Sequence, residues 1–194
     1  DKPRDTRTVG SSNVNFEMLS GTSVSRDFVE LPSQWFEHWL ESEEILKKFT
    51  CHYKTKNNIS PKLLKNVILS RTFNSGFDTT EYLASAIMDI KLHSEKSNSN
   101  PIKLEKTYLD KIGLTKAIYP RHNLAQFQHI FSGGGYASAY YSYMWSEMMD
   151  EDAYSAFVET GNIFDKETAK SFEQNVLSKG GLKEPELLYK SFRK

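Results

Sequence analysis

The sequence predicts a mainly α protein, and three observations carry that reading. Apolar residues recur at helical spacing through most of the chain, and side chains that start and stop helices bound those stretches. No alternating apolar and polar run is long enough for a strand, and no internal repeat appears. The 194 residues suffice for one domain or a large subdomain. Lys+Arg 25 balances Asp+Glu 25, so the net charge points to neither nucleic acid nor an anionic membrane as partner. The single cysteine, Cys51, rules out an internal disulfide and a Cys-rich zinc site, and it fits a reducing, cytoplasmic setting. No apolar run approaches the roughly 18 residues of a membrane span, and the first residues do not have a signal-peptide pattern. Residues 1–13, DKPRDTRTVGSSN, are polar and without period, and read as a flexible or incomplete arm before a helical body over 14–194.

The first strong pattern covers Val24–Phe49. Phe28, Leu31, Trp35 and Trp39 share one side of a helical wheel, with Val29, Phe36 and Leu40 beside them. Glu30, Gln34, Glu37 and Glu41 form a narrow polar stripe opposite. One helix is expected, with Pro32 removing a hydrogen bond or kinking it near Phe28. Ser60-Pro61 opens a helix to about Thr72, as an N-cap followed by proline. Asp78 and Glu81 mark the start of Thr79–His93, whose Leu83, Ile87 and Ile90 form the apolar stripe. Ser94–Asn100 is a polar surface loop. Asn100-Pro101 opens the next helix and Gly113 closes it. Ile118–His122 is extended around Pro120, and Asn123–Phe131 leads to a glycine run. Farther on, Glu151–Glu159 is a short helix stopped by Gly161. Asp165 caps Lys166–Ser178 ahead of Gly180-Gly181, and Pro185 opens Glu186–Phe192.

The most unusual stretch is Gln128–Glu147, QHIFSGGGYASAYYSYMWSE. Gly133, Gly134 and Gly135 permit backbone angles closed to other residues, as a tight turn or a close approach to a ligand requires. Tyr136, Tyr140, Tyr143 and Glu147 then follow at helical spacing, within a sector of about 60°. Ala137, Tyr141, Met144, Trp145 and Met148 lie opposite. One expectation is a helix that buries Trp145 and Met148 and shows its phenols to a cleft; the plainer one is that the tyrosines are core. Glu30 is a carboxylate on a mostly buried helix and needs a partner, with Arg26 four residues back as the simple candidate. His122 and His129 stand too far apart in sequence for a metal pair on one helix.

Several patterns carry no chemistry. The glycine run lacks the spacing and preceding strand of a dinucleotide site, and Asp150-Glu151-Asp152 lacks the features of a calcium loop. His38 with Glu37 and Glu41 is neither H-E-x-x-H nor its inverse, and the acidic cluster Glu37–Glu44 reads as a solvated or salt-bridged face.

HIFSGGGYASAYYSYMWSE resembles the substrate-binding segment of the thimet oligopeptidase and peptidyl-dipeptidase Dcp family of zinc metallopeptidases, closer to the Dcp branch. GTSVSRDFVELPSQ at Gly21–Gln34 resembles that family's second signature. The resemblance runs from about Ser12 to the end, and implies the helical C-terminal portion of a zincin-type oligopeptidase catalytic domain. By resemblance Glu30 is the third zinc ligand, with Asp27 supporting it or capping the helix. Tyr136 and Tyr143 hydrogen-bond the scissile carbonyl region as catalytic groups. His129, Gly133, Gly134, Gly135 and Tyr140 bind substrate. The family's two His ligands and general base come from H-E-x-x-H, which the sequence lacks. The family's spacing would place that motif over Asp1–Asp5, where DKPRD stands.

The resemblance therefore implies zinc in the complete enzyme, not bound tightly by this chain, and no hydrolysis by the chain alone. Expected partners are short peptides and the missing N-terminal part of the same enzyme. Two other readings stay open: a non-catalytic peptide-binding relative that keeps the tyrosine wall, and a helical interaction domain whose tyrosines are buried.

Overall fold

The computed structural model describes residues 12–96, 100–133 and 135–193; most of the arm expected over 1–13 lies outside them. Helices make up their regular structure, and the pairing nearest to a strand among them is an isolated bridge between Cys51 and Asn58. In chain order the helices are α1 (Arg26–Val29), α2 (Leu31–Glu41), α3 (Glu43–Phe49), α4 (Pro61–Ser70), α5 (Ser75–Ser94), α6 (Pro101–Lys111), α7 (Gln128–Phe131), α8 (Ser142–Glu159), α9 (Lys166–Phe172) and α10 (Pro185–Phe192). The mainly α expectation holds. The chain forms two compact units, Asp1–Trp39 with Ser142–Lys194, and Leu40–Tyr141.

The first unit is built around Trp35, 5% exposed. Its indole stacks on Phe172 at 4.0 Å and meets Trp39 edge-on at 4.6 Å, with Phe157 at 5.4 Å. Phe28, Leu31, Ala153, Val176, Leu188 and Phe192 complete this core. The single helix expected over Val24–Phe49 is corrected to three. Glu30 ends α1 at φ −88°, ψ −12°, and its carbonyl accepts the Gln34 N–H at 3.0 Å to start α2. Pro32 thus falls in the first turn of α2, where a missing N–H leaves no acceptor unserved. Ser42, extended at ψ 131°, makes the second break, and α3 then begins with Glu43 and Glu44 and ends with Lys47 and Lys48, in the sense the helix dipole favours. The short Glu151–Glu159 helix is likewise corrected, being the second half of α8.

Two further features hold the first unit. His38 Nε2 lies 2.7 Å from Asp150 Oδ1, with Asp150 2% exposed, and the His38 ring stacks on Tyr154 at 4.6 Å. The acidic neighbours Glu37 and Glu41 hid this pairing in the sequence. Asp165 caps α9 as expected, its Oδ2 accepting the Thr168 N–H at 2.8 Å, and the helix runs on into a π-helical turn over Glu173–Leu177. Gly180 and Gly181 then let the Leu19–Ser23 loop come against them, and the Gly181 N–H donates to the Leu19 carbonyl at 2.8 Å. A Cβ on Gly181 would lie 2.3 Å from the Ser23 carbonyl oxygen, and one on Gly180 would lie 2.0 Å from that of Leu19.

In the second unit, α4 opens as expected, the Ser60 hydroxyl accepting the Leu63 N–H at 3.3 Å. The α6 helix opens on Asn100, whose Oδ1 accepts the Ile102 N–H at 3.0 Å, and Gly113 follows its end at φ +71°. The α5 helix begins at Ser75, four residues before the expected Thr79, because Asn74 turns the chain at φ 58° and its carbonyl accepts from Phe77 and Asp78. The apolar stripe of Leu83, Ile87 and Ile90 is not the most buried face of α5. Leu83 and Ile90 are 38% and 39% exposed, whereas Tyr82, Ala84, Ser85, Ala86, Met88 and Asp89 are buried. Met88 packs with Tyr108 and Leu124.

Gly181→Ala is expected to cost about 2 kcal/mol by overpacking. Gly76→Ala, inside α5 where a Cβ would meet nothing within 4 Å beyond its own helix, should be neutral or stabilising. Removing the partner of a buried charge in His38→Ala should cost about 3 kcal/mol. Urea unfolding midpoints check all three.

Candidate functional site

The expected site residues divide between the units. Glu30 and Tyr143 belong to the first, and His129, Gly133, Gly135, Tyr136 and Tyr140 to the second; Gly134 lies outside the described residues.

Glu30 sits at the α1–α2 junction, half-buried, where its Oε2 accepts from the Ser33 hydroxyl at 3.1 Å. The same hydroxyl reaches the Glu30 carbonyl at 2.9 Å, so the junction is closed from both sides. Two hydrogen bonds tie this region to the first turn of α8. Gln34 Nε2 donates to the Tyr143 carbonyl at 3.0 Å, and the Ser146 hydroxyl donates to the Asp27 carbonyl at 3.0 Å. The backbones that carry Glu30 and Tyr143 are thus fastened together. Among the described residues no three His, Cys, Asp or Glu side chains come together to hold a metal ion. His38 is engaged with Asp150 and His93 with Asp89. Glu30 therefore offers one donor, and the described residues do not fit a zinc ion by themselves.

In the second unit the glycine run does turn the chain. Gly133 takes φ +76° with no atom within 4 Å of where a Cβ would sit. The expected helix through Tyr136, Tyr140 and Tyr143 is corrected. Residues 135–141 form turns, Ser138 stands at φ 59°, and α8 begins only at Ser142. The cause is a carboxylate on α5. Asp89, fully buried, accepts the Ser138 N–H on Oδ1 and the Tyr140 N–H on Oδ2, each at 2.9 Å. The Tyr82 hydroxyl donates to the Tyr140 carbonyl at 2.5 Å. With its amide and carbonyl both taken by α5, Tyr140 cannot continue a helix.

The consequences for the side chains are direct. Tyr140, expected to bind substrate, is 3% exposed and packs between Tyr82, Phe127, His122 and His129 at 4.8 to 5.6 Å. That is a core position. Tyr136 is half-buried and His129 exposed, their rings edge-on at 6.0 Å, so an imidazole and a phenol stand side by side from opposite ends of the Gly133 turn. Trp145 and Met148, expected to be buried by the tyrosine helix, are 48% and 58% exposed; α8 instead buries Ser146, Asp150, Ala153 and Phe157.

His122 is a group the sequence did not assign. It lies 5.0 Å from His129, stacks on Phe127 at 4.7 Å, and its amide donates to the Ser85 hydroxyl at 3.2 Å. Burial, then the neighbouring His129 and Arg121, hold its imidazole below the ordinary histidine value. Asp89 and Tyr82 also escaped notice. Their signal was the spacing of Tyr82, Ser85, Ala86, Asp89 and His93, which share a face of α5 distinct from the Leu83 stripe.

Residues 11–194 match the family model described as Peptidase family M3. The dipeptidyl carboxypeptidase of Escherichia coli is 34% identical over 183 residues, covering 92% of this chain and 26% of the relative. Oligopeptidase A of Salmonella typhimurium is 37% identical over 179 residues, covering 90% and 26%. The organellar oligopeptidase A of Arabidopsis thaliana is 34% identical over 178 residues, covering 88% and 22%. The chain thus spans about a quarter of the length of these relatives. No described helix is long and apolar enough to cross a membrane.

A histidine whose folded pKa is lowered binds its proton less tightly than in the unfolded chain. The contribution of His122 to stability is therefore present above about pH 6.5 and lost as pH falls through the folded value. Unfolding midpoints should drop on acidification from pH 7 to 5, and His122→Gln should flatten that dependence.

Proposed function

The chain belongs to peptidase family M3, and from that premise we propose that it carries the peptide-binding part, and one metal-binding carboxylate, of a zinc-dependent cytoplasmic enzyme that cleaves short peptides. The observation that carries this reading is the pairing of His129 with Tyr136, one on each side of the Gly133 turn. Both groups can hydrogen-bond a peptide carbonyl, and a phenol in a dry cleft can contribute a few kcal/mol to an oxyanion as it forms. Tyr143, fastened through its carbonyl to Gln34 beside Glu30, is the second phenol assigned to the carbonyl region. The names of the relatives, dipeptidyl carboxypeptidase and oligopeptidase A, favour short peptides as substrates.

Glu30 is assigned as the third zinc ligand of a complete enzyme. One carboxylate does not make a tight site, and the 194 residues contain no H-E-x-x-H to supply two imidazoles and a base. The chain by itself is accordingly a peptide-binding body without hydrolytic activity. Neither nucleic acid nor a membrane is among its partners in this reading, whereas the remainder of an M3 catalytic domain is.

Incubating the chain with a fluorogenic short peptide and zinc should give binding without turnover, and chelator should leave binding unchanged. Tyr136→Phe should weaken binding about fivefold, the loss of one hydrogen bond of about 1 kcal/mol. One tight zinc equivalent, with cleavage abolished by chelator and by Glu30→Ala, would overturn the assignment.

A further inference from the structure

The α5 helix is the least obvious contributor to the peptide site, because none of its residues belongs to the glycine and tyrosine run. Yet two of its buried side chains decide where that run goes. Asp89 is fully buried, and both of its oxygens accept backbone N–H groups from the turn, those of Ser138 and Tyr140 at 2.9 Å each. His93, one helical turn on, places Nδ1 2.9 Å from Asp89 Oδ1 and 2.9 Å from the Asp89 carbonyl. Tyr82, two turns back on the same face, donates to the Tyr140 carbonyl at 2.5 Å. The residues gripped are the third and fifth of the Tyr136–Tyr140 segment, and Ser138 between the two tyrosines holds a left-handed backbone uncommon for a serine.

We propose that Asp89 is a positioning residue for peptide binding: it clamps the amides of Ser138 and Tyr140, and so holds the Tyr136 phenol beside His129 in the orientation that meets a peptide. This rests on the peptide-binding reading above. Hydrogen bonds from amides to a carboxylate are among the stronger ones, and a fully buried pair of them is directional. An amide side chain cannot replace the carboxylate, because it has one acceptor oxygen and would set its NH2 group against the second N–H. The clamp also explains why Tyr140 is core while Tyr136, four residues earlier and before the grip, remains half-exposed.

The test uses the full chain and two measurements. In the wild type, amide hydrogen exchange should show Ser138 and Tyr140 protected although they lie in turns rather than in a helix. In Asp89→Asn, exchange at these two amides should speed up at least about tenfold while protection along the middle of α5 persists, and affinity for the fluorogenic peptide should fall about tenfold. Met88→Ala, which removes from the same helix a fully buried side chain that packs with Tyr108 and Leu124, should lower the unfolding midpoint and leave both the two amides and the peptide affinity as in the wild type. Unprotected Ser138 and Tyr140 amides in the wild type would overturn the clamp even if Asp89→Asn failed to fold. Equal loss of peptide affinity in Asp89→Asn and Met88→Ala would reduce Asp89 to a stabilising role and overturn the proposal. A wild-type chain that binds no peptide would strike the peptide-binding reading itself, whereas the exchange data would still report whether Asp89 holds the turn.

Discussion

A carboxylate taken wholly out of water must find donors in the protein, and Asp89 finds them in the backbone of the Ser138–Tyr140 turn. In a helix those two amides would donate to carbonyls four residues back. The carboxylate takes them instead, and the chain that leaves the glycines cannot wind until Ser142. Everything distinctive about the second unit's aromatic cluster follows from that substitution. Tyr140 goes inward against Tyr82, Phe127 and His122, and Tyr136 stays at the surface of the cluster with His129.

The first unit obeys a different constraint, a proline near the start of a mostly apolar helix. Pro32 is tolerated because the chain restarts its helix at Leu31, and the restart leaves Glu30 at a junction rather than along a regular helical face. A junction residue has backbone and side chain both within reach of Ser33, and Glu30 uses both. Beneath it Trp35 is packed on Phe172, Trp39 and Phe157, so the helix that presents the carboxylate rests on a close-packed aromatic base. Gln34 and Ser146 then fasten the start of α8 to the same region. A carboxylate and a tyrosine proposed for one chemistry are thereby carried on backbones that cannot shift independently.

Around Tyr140 the aromatic and imidazole groups form one packed cluster, on which the proposed peptide-binding edge rests. His122, Phe127 and Tyr140 hold one another at ring distances of 4.7 to 5.6 Å, and His129 and Tyr136 form the accessible edge of the same group. The buried members give the edge its orientation. The helical stripe of phenols is replaced by a turn: Tyr136 is half-buried beside His129, Tyr140 is core in line with the plainer expectation, and Tyr143 belongs to a separate helix in the other unit.

What the residues settle by themselves is local. Ser60-Pro61, Asn100-Pro101, Asp165 and Gly113 start and stop helices through bonds within a few residues, and each does so where the spacing placed it. The mainly α class follows from the same short-range chemistry, and the family from the Gly21–Gln34 and His129–Glu147 patterns. Tertiary structure decided what local rules leave degenerate. The α5 helix is apolar on more than one face, so periodicity could not choose between the Leu83 stripe and the Tyr82–Asp89 face. Only the arrival of the Ser138 and Tyr140 amides, some fifty residues away in sequence, made burial of Asp89 the stable arrangement. The pairing of His38 with Asp150 was hidden for the same reason, since a partner 112 residues distant competes with carboxylates close by. A helical periodicity records which residues share a face; which face meets the protein is decided by groups that lie elsewhere in the chain.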